Sequence, residues 1–309
     1  MDSPVHMTSR VKNLPEPIDF IIRVWAEEDI ETNELSTCLS LLLLIGEVLH
    51  DQKVKQSHVV NFIRLVSTFR QRFNSTFAIR YVLFHNIVLN LTFASNSTLD
   101  PHVLDPIPLL LRLAVDTKLR QHLRLGAVQP FTRRDLARGL KDIYVSPHVS
   151  ISQPQPIIYN FQFHIFASSL YRSGAIRKPV FFVCAMVDAL ERRWEDARRL
   201  SLALYAVHWW IMHFGYRLFK QNSTKKWIYP KFVRHGDLYE EHLDRVLGKK
   251  RPRPALTVGR WRFWKKRLEE SMIDVVDFES NFLLSGSNNI ARQAAEEIGH
   301  ILLKNGYKV

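Results

Sequence analysis

The chain has 309 residues, 46% of them hydrophobic, with two cysteines and a formal net charge of +13 at pH 7. At that length roughly 75% of the unfolded surface can leave water, enough for one large core or two modest ones without covalent staples. Cys38 and Cys184 stand far apart and outside any C-x-x-C spacing, which argues against a disulfide framework or a zinc-thiolate site and suits a reducing compartment.

Residues 1–14 mix Asp2, His6, Arg10 and Lys12 with few apolar side chains, unlike a secretory signal, so the expected location is intracellular, cytoplasmic or nuclear. The Asn-x-Ser/Thr matches at Asn74, Asn90, Asn96 and Asn222 are then chance combinations. From there on, apolar residues recur with a period near 3.6 and strand-like alternation is scarce, so the expected class is all-α: a multi-helix bundle or an irregular array of helical hairpins, about 11–12 helices in all. Helices are predicted at 16–27, 33–50, 55–73, 78–94, 106–123, 133–144, 156–173, 179–193, 196–220, 237–247, 259–278 and 288–304.

Punctuation supports several limits. Thr132 and Asp135 suit an N-terminal cap, Gly174 suits a left-handed helix end, and Pro179 suits the first turn that follows, which makes 156–193 a helical hairpin. The Pro/Ser/Gln stretch 146–156 cannot extend a helix and is the best internal boundary, dividing the chain into helical regions 1–150 and 151–309 that are free to pack as one domain. A second loop, 248–258, carries Pro252 and Pro254.

No membrane span is expected: 39–49 is short of the roughly 20 apolar residues a bilayer requires and contains Glu47, and 200–219 is interrupted by Tyr205, His208, His213 and Arg217. The latter segment is apolar on most faces, which places it at the centre of a fold. Helix 259–278 is instead amphipathic, with Trp261, Trp264, Leu268 and Met272 on one face. Lys265, Lys266, Glu269 and Glu270 lie towards water as two i,i+4 pairs.

Charge is uneven. Residues 1–150 hold 17 Lys/Arg against 15 Asp/Glu, and residues 151–309 hold 26 against 15, so the second half carries +11. Lys249, Lys250, Arg251 and Arg253 satisfy a short nuclear-import pattern, and Arg260, Arg262, Lys265 and Lys266 continue the basic segment. With Trp261 and Trp264 beside it, segment 245–267 is a candidate for nucleic-acid binding, although the helix puts both tryptophans on its apolar face.

Catalytic signatures are wanting. The 13 histidines form neither a His-Glu-x-x-His helix nor a zinc-finger spacing, and the eleven glycines form no phosphate loop. No catalytic residue, metal or cofactor is assigned. His235, Asp237, Glu240, Glu241 and His242 are the densest group of potential ligands, but acids after Gly236 equally suit a helix N-terminus.

Several tracts carry a resemblance: Asn160 with the helix 163–170, Met186-Val187-Asp188-Ala189-Leu190-Glu191, Ala206 with Trp209-Trp210-Ile211, and Gly236-Asp237-Leu238. Arg260-Trp261-Arg262-Phe263-Trp264-Lys265-Lys266-Arg267 follows, then Ala291, Ala294 and Ala295. Over about residues 155–305 the chain resembles the fungal domain-of-unknown-function family numbered 3632, with Tyr159 where the pattern has tryptophan. The resemblance implies a fungal origin and a helical domain with an aromatic core, with Trp210, Gly236, Asp237, Trp261 and Trp264 as structural residues. It supplies no chemistry. The expected function is therefore a non-enzymatic helical interaction or scaffold module with an unidentified protein partner; nucleic-acid binding is the alternative, and a small-molecule enzyme near 235–242 stands last.

Overall fold

The computed structural model of the protein describes residues 40, 43–48, 51, 53–73, 106–116, 119, 132–144, 146, 156–194, 197–222, 235–247, 256–276 and 282–308. All regular structure among them is helical: α1 (Gln56–Phe73), α2 (Pro106–Ala114), α3 (Arg133–Ile143), α4 (Pro156–Ser173), α5 (Val180–Met186), a π-helix (Val187–Glu191), α6 (Ala197–Asn222), α7 (Asp237–Leu247), α8 (Val258–Val276) and α9 (Phe282–Lys304). Residues 43–48 are helical as well. The chain is all-α. The helices expected at 16–27 and 78–94 lie outside the described residues, as do most of the two Pro-containing loops.

The described chain forms two compact units, one of residues 1–143 with 169–177 and the other of 144–168 with 178–309. In the first unit, Val59, Phe62, Ile63 and Val66 of α1 and Leu110, Leu111 and Ala114 of α2 are buried at i,i+3/i+4 spacing, as is the Leu136/Leu140 pair of α3. Helix α3 starts immediately after Thr132, whose carbonyl accepts the Leu136 amide at 3.0 Å. The helix expected over 106–123 stops at Ala114, and just beyond it the Asp116 carboxylate accepts the Leu119 amide at 3.3 Å, the local side-chain-to-backbone bond by which Asp competes with a continuing helix. Gly174 ends α4 with φ +79°, as its sequence position suggests.

In the second unit α9 packs against both α6 and α8, and Phe219 of α6 meets Trp261 of α8 at 5.3 Å between ring centroids. Helices α6 and α9 run parallel, since successive contacts advance together: His208 with Gln293 at 3.0 Å, Lys304 over the Tyr216 ring at 4.6 Å, and Phe219 with Tyr307 at 5.9 Å. Gly215 makes the close approach feasible, because a Cβ there would lie 2.9 Å from Ile301 Cδ1. Phe182 of α5 sits at the centre of the core, 6.1 Å from Trp210 and 5.7 Å from both Trp261 and Trp264. Each such pair contributes about 0.5–1.5 kcal/mol beyond its buried area. Trp210, Trp261 and Trp264 are all fully buried.

Helix α6 departs from the expectation of a fully enclosed segment. One face packs inward, while Met212 and Tyr216 are 41% and 38% exposed. Among the described residues no helix is long and apolar enough to cross a membrane.

Candidate functional site

The helix expected over 179–193 begins at Val180 but switches from α to π geometry at Val187, and all five π-helical residues are buried. Bonding to the fifth residue along slows the rotation per residue, so Glu191 turns away from Asp188 and the two carboxylates serve different networks. Arg192 then leaves the helix in extended conformation at φ −112°, ψ 155°. The freed Ala189 carbonyl accepts the Trp194 indole N–H at 3.1 Å.

Glu191 is the centre of the first network. Its Oε1 accepts Arg260 Nε at 2.5 Å and Trp264 Nε1 at 2.7 Å; its Oε2 accepts Arg260 Nη2 at 2.9 Å and the Gly236 amide at 3.0 Å. Both Glu191 and Arg260 have 0% exposed side chains. Burying two charges costs several kcal/mol each, and only a forked pair with its remaining acceptor sites filled repays that cost. Here the carboxylate receives four donors. The guanidinium also lies 5.3 Å from the Tyr239 and Trp264 ring centroids. One side chain thus ties the end of the π-helix to the start of α7 and the first turn of α8.

Gly236 is needed for that closure. Its amide meets Glu191 Oε2, and a Cβ at this position would lie 2.2 Å from the Glu191 backbone oxygen. Since backbone is the obstacle, Gly236→Ala is expected to cost about 1–3 kcal/mol or more in overpacking and lost closure. Thermal unfolding of that variant checks it, with Gly259→Ala, whose Cβ meets little, as the control.

A second network surrounds Asp188. The Tyr144 hydroxyl donates to Asp188 Oδ2, and Arg192 Nη1 lies 3.3 Å from Oδ1. Burial first, and then the Asp188 charge, push the Tyr144 phenol well above its ordinary range. Beside it, His164 is buried, with Tyr144 and Phe163 ring centroids at 5.6 and 5.7 Å. Its Nδ1 accepts the Trp210 indole N–H at 3.2 Å, so the neutral ring carries its proton on Nε2. Burial pushes its pKa down to about 3.

Of the basic segment, Lys249, Lys250, Arg251 and Arg253 lie outside the described residues. Arg260 stands apart from the remainder: the core encloses it. Arg262 is exposed and donates twice to the Lys308 carbonyl, at 3.0 and 2.7 Å. Lys265 pairs with Glu269, and Lys266 lies 3.6 Å from Glu270, the two i,i+4 pairs read from the sequence. Trp261 and Trp264 face the core with Leu268, which removes them as stacking platforms.

The ligand-like residues of 235–242 divide between two different partners. Asp237 and Glu241 sit 3.7 and 2.6 Å from Arg193, while His235 and His242 pack on the Tyr239 ring. His213 is exposed against Trp209, and His208 bonds Gln293, so these two do not converge. Among the described residues no three His, Cys, Asp or Glu side chains could hold a metal ion.

Asp188 and Glu191 entered the sequence reading only within the tract 186–191, His164 only within the helix 163–170 and Tyr144 only at a helix end; none was assigned a role. One signal was available for Arg260, since it falls four residues before Trp264 and eight before Leu268, on the apolar stripe.

Both networks fall inside one segment of the chain. No curated protein and no solved structure matches the chain. Residues 135–268 match the family model described as "Protein of unknown function (DUF3632)", a segment that includes Tyr144, His164, Asp188, Glu191, Gly236, Arg260 and Trp264 and ends before the alanines of α9.

Proposed function

We propose that the chain is a helical protein-interaction module of a fungal cell, acting in the cytoplasm or nucleus, in which the polar residues of the matched segment hold the helices in place. One observation supports this reading above the rest. The Glu191 carboxylate is enclosed at 0% exposure, and both its oxygens are filled by Arg260, Trp264 and Gly236. A catalytic acid or base needs a free lone pair or proton within reach of its substrate, and a carboxylate with four donors offers neither. Such a centre fixes shape, and shape is what a binding module presents.

Nucleic-acid binding through 245–267 is the competing reading, and it rests on cations alone because the two tryptophans are enclosed. Affinity purification of the tagged full chain from its source organism, with and without nuclease, separates the two. The interaction reading expects a stoichiometric protein that survives nuclease. Recovery of nucleic acid alone, lost as salt is raised, would overturn it.

A further inference from the structure

Residues 197–236, 245–268 and 298–309 contain 20 Lys and Arg and no Asp or Glu, where an even spread would give them about seven of the chain's 30 acids. The fold brings stretches of all three to one end of the second unit. Phe219, near the end of α6, lies 5.3 Å from Trp261 at the start of α8 and 5.9 Å from Tyr307 just past α9, and Arg262 holds the Lys308 carbonyl. Arg217, Lys220, Arg262, Lys304 and Lys308 are all exposed there. Part of this charge answers the helices themselves, since α6 and α9 both end here and Lys220 and Lys304 stand in their last turns. The magnitudes do not balance. Two helix C-termini and the N-terminus of α8 sum to about −0.5 elementary charge, against five full positive charges. Elsewhere in the unit surface cations have carboxylates beside them, as Arg193 has Glu241 at 2.6 Å and Lys266 has Glu270 at 3.6 Å. Along α9 the nearest acid is Glu297, about 10 Å of helix before Lys304. Apolar side chains are interleaved with the cations: Leu303 is 60% exposed and Tyr307 37%, next to Lys304 and Lys308.

We propose that this end of the second unit is the docking surface for an acidic, amphipathic segment of a partner protein, whose carboxylates meet Lys220, Arg262, Lys304 and Lys308 while its apolar side chains cover Leu303 and Tyr307. Charge complementarity selects an anion. The same end of a second copy brings no Asp or Glu from the three runs, so like charges meet in every orientation. Leu303 and Tyr307 then favour protein over nucleic acid, because a phosphate backbone offers Leu303 nothing, and the Tyr216 ring that would stack a base already has the Lys304 ammonium over it at 4.6 Å. Mixed apolar and charged contact is the ordinary composition of a protein interface. This assignment rests on the interaction reading above and adds to it the site and the chemistry of the partner.

The test uses the full chain and displayed peptides of about 16 residues randomised among Asp, Glu, Lys, Ser, Leu and Tyr. Selection is expected to enrich Asp or Glu together with Leu or Tyr. Binding of an enriched peptide should weaken at least about tenfold in the double variant Lys220→Glu with Lys304→Glu. The same change of charge at the other end of the same two helices, Arg199→Glu with Arg292→Glu, should alter it by no more than about twofold. Replacing acids of the peptide with Lys should restore binding to the Lys220→Glu, Lys304→Glu chain, an exchange that a merely structural effect would not produce. Peptides without acidic bias, or equal losses in the two double variants, would overturn the proposal. Tighter binding of a thymidylate oligonucleotide of about 20 nucleotides than of the selected peptide, lost in the Lys220→Glu, Lys304→Glu chain, would assign this end to nucleic acid. Binding to phosphatidylserine vesicles lost in that chain would assign it to an anionic membrane, and self-association relieved there would assign it to a second copy; each of these outcomes also overturns the proposal. If the Lys220→Glu, Lys304→Glu chain still captures a nuclease-resistant protein partner in full, this end is wrong and the interaction reading stands; absence of any protein partner of the parent chain removes the reading itself.

Discussion

Glu191→Ala is expected to lower the unfolding free energy by about 3–5 kcal/mol, the cost of leaving a buried charge without its partner. Three groups lose an acceptor together: the Arg260 guanidinium, the Trp264 indole and the Gly236 amide. Arg260→Ala should cost a similar amount for the complementary reason. The two are not independent, so the double variant should be far less damaged than the sum of the singles. Replacing both with apolar residues of similar volume, Glu191→Leu with Arg260→Met, should recover much of the loss. Urea unfolding followed by tryptophan fluorescence reads the shift in midpoint at constant slope. A Glu191→Ala chain within about 1 kcal/mol of the parent would mean that the pair is not closed as described.

Acid should act on the neighbouring network. Free imidazole titrates near 6.5, whereas His164 in the folded chain titrates at about 3. Between those values the unfolded chain holds the extra proton, so stability is complete above pH 6.5 and is lost as pH falls towards 3. At 1.36 kcal/mol per unit the loss is about 2 kcal/mol at pH 5 and about 4–5 kcal/mol by pH 3. The cause is specific: a proton on Nδ1 removes the acceptor of the Trp210 N–H and puts a charge among Tyr144, Phe163 and Trp210. His208 is also lowered by burial, and it titrates in both chains of the comparison that follows. In His164→Asn, which keeps an acceptor but does not titrate, the fall in stability between pH 7 and pH 5 should be about 2 kcal/mol smaller than in the parent. Equal slopes in the two chains would contradict the assignment.

Helix positions were readable because an amphipathic segment declares its period whatever it packs against. Helices α1, α4, α7 and α8 begin and end within two residues of expectation. Features that depend on three dimensions were less accessible. The charges of Arg260 and Arg262 are equivalent in composition, yet one closes on Glu191 in the core and the other reaches the Lys308 carbonyl at the surface. Two helical positions separate opposite faces, so only the phase of Arg260 with Trp264 distinguished it. Glu191 was less legible still, because the π-turn that aims it has no composition of its own and its partners stand 45, 69 and 73 residues away. The break at Asp116 follows local capping chemistry that the longer apolar period concealed. Sequence did place Gly236, Asp237, Trp261, Trp264 and Glu191 in tracts of one resemblance, and the Glu191 network supplies a physical reason for the company of Gly236, Trp264 and Glu191; Trp261 packs on Phe182 and Phe219 instead, and Asp237 stands near Arg193 at the surface.

The most direct test of the Glu191 network is amide hydrogen exchange at Gly236. That amide precedes the first residue of α7, where helix geometry supplies no acceptor and exchange is ordinarily fast. With Glu191 Oε2 3.0 Å away in the buried centre, it should exchange only through opening of the second unit, as slowly as the core amides of α6 and α8, and should become fast in Glu191→Ala. Exchange at the rate of an open loop in the parent chain would contradict a closed centre built on Glu191.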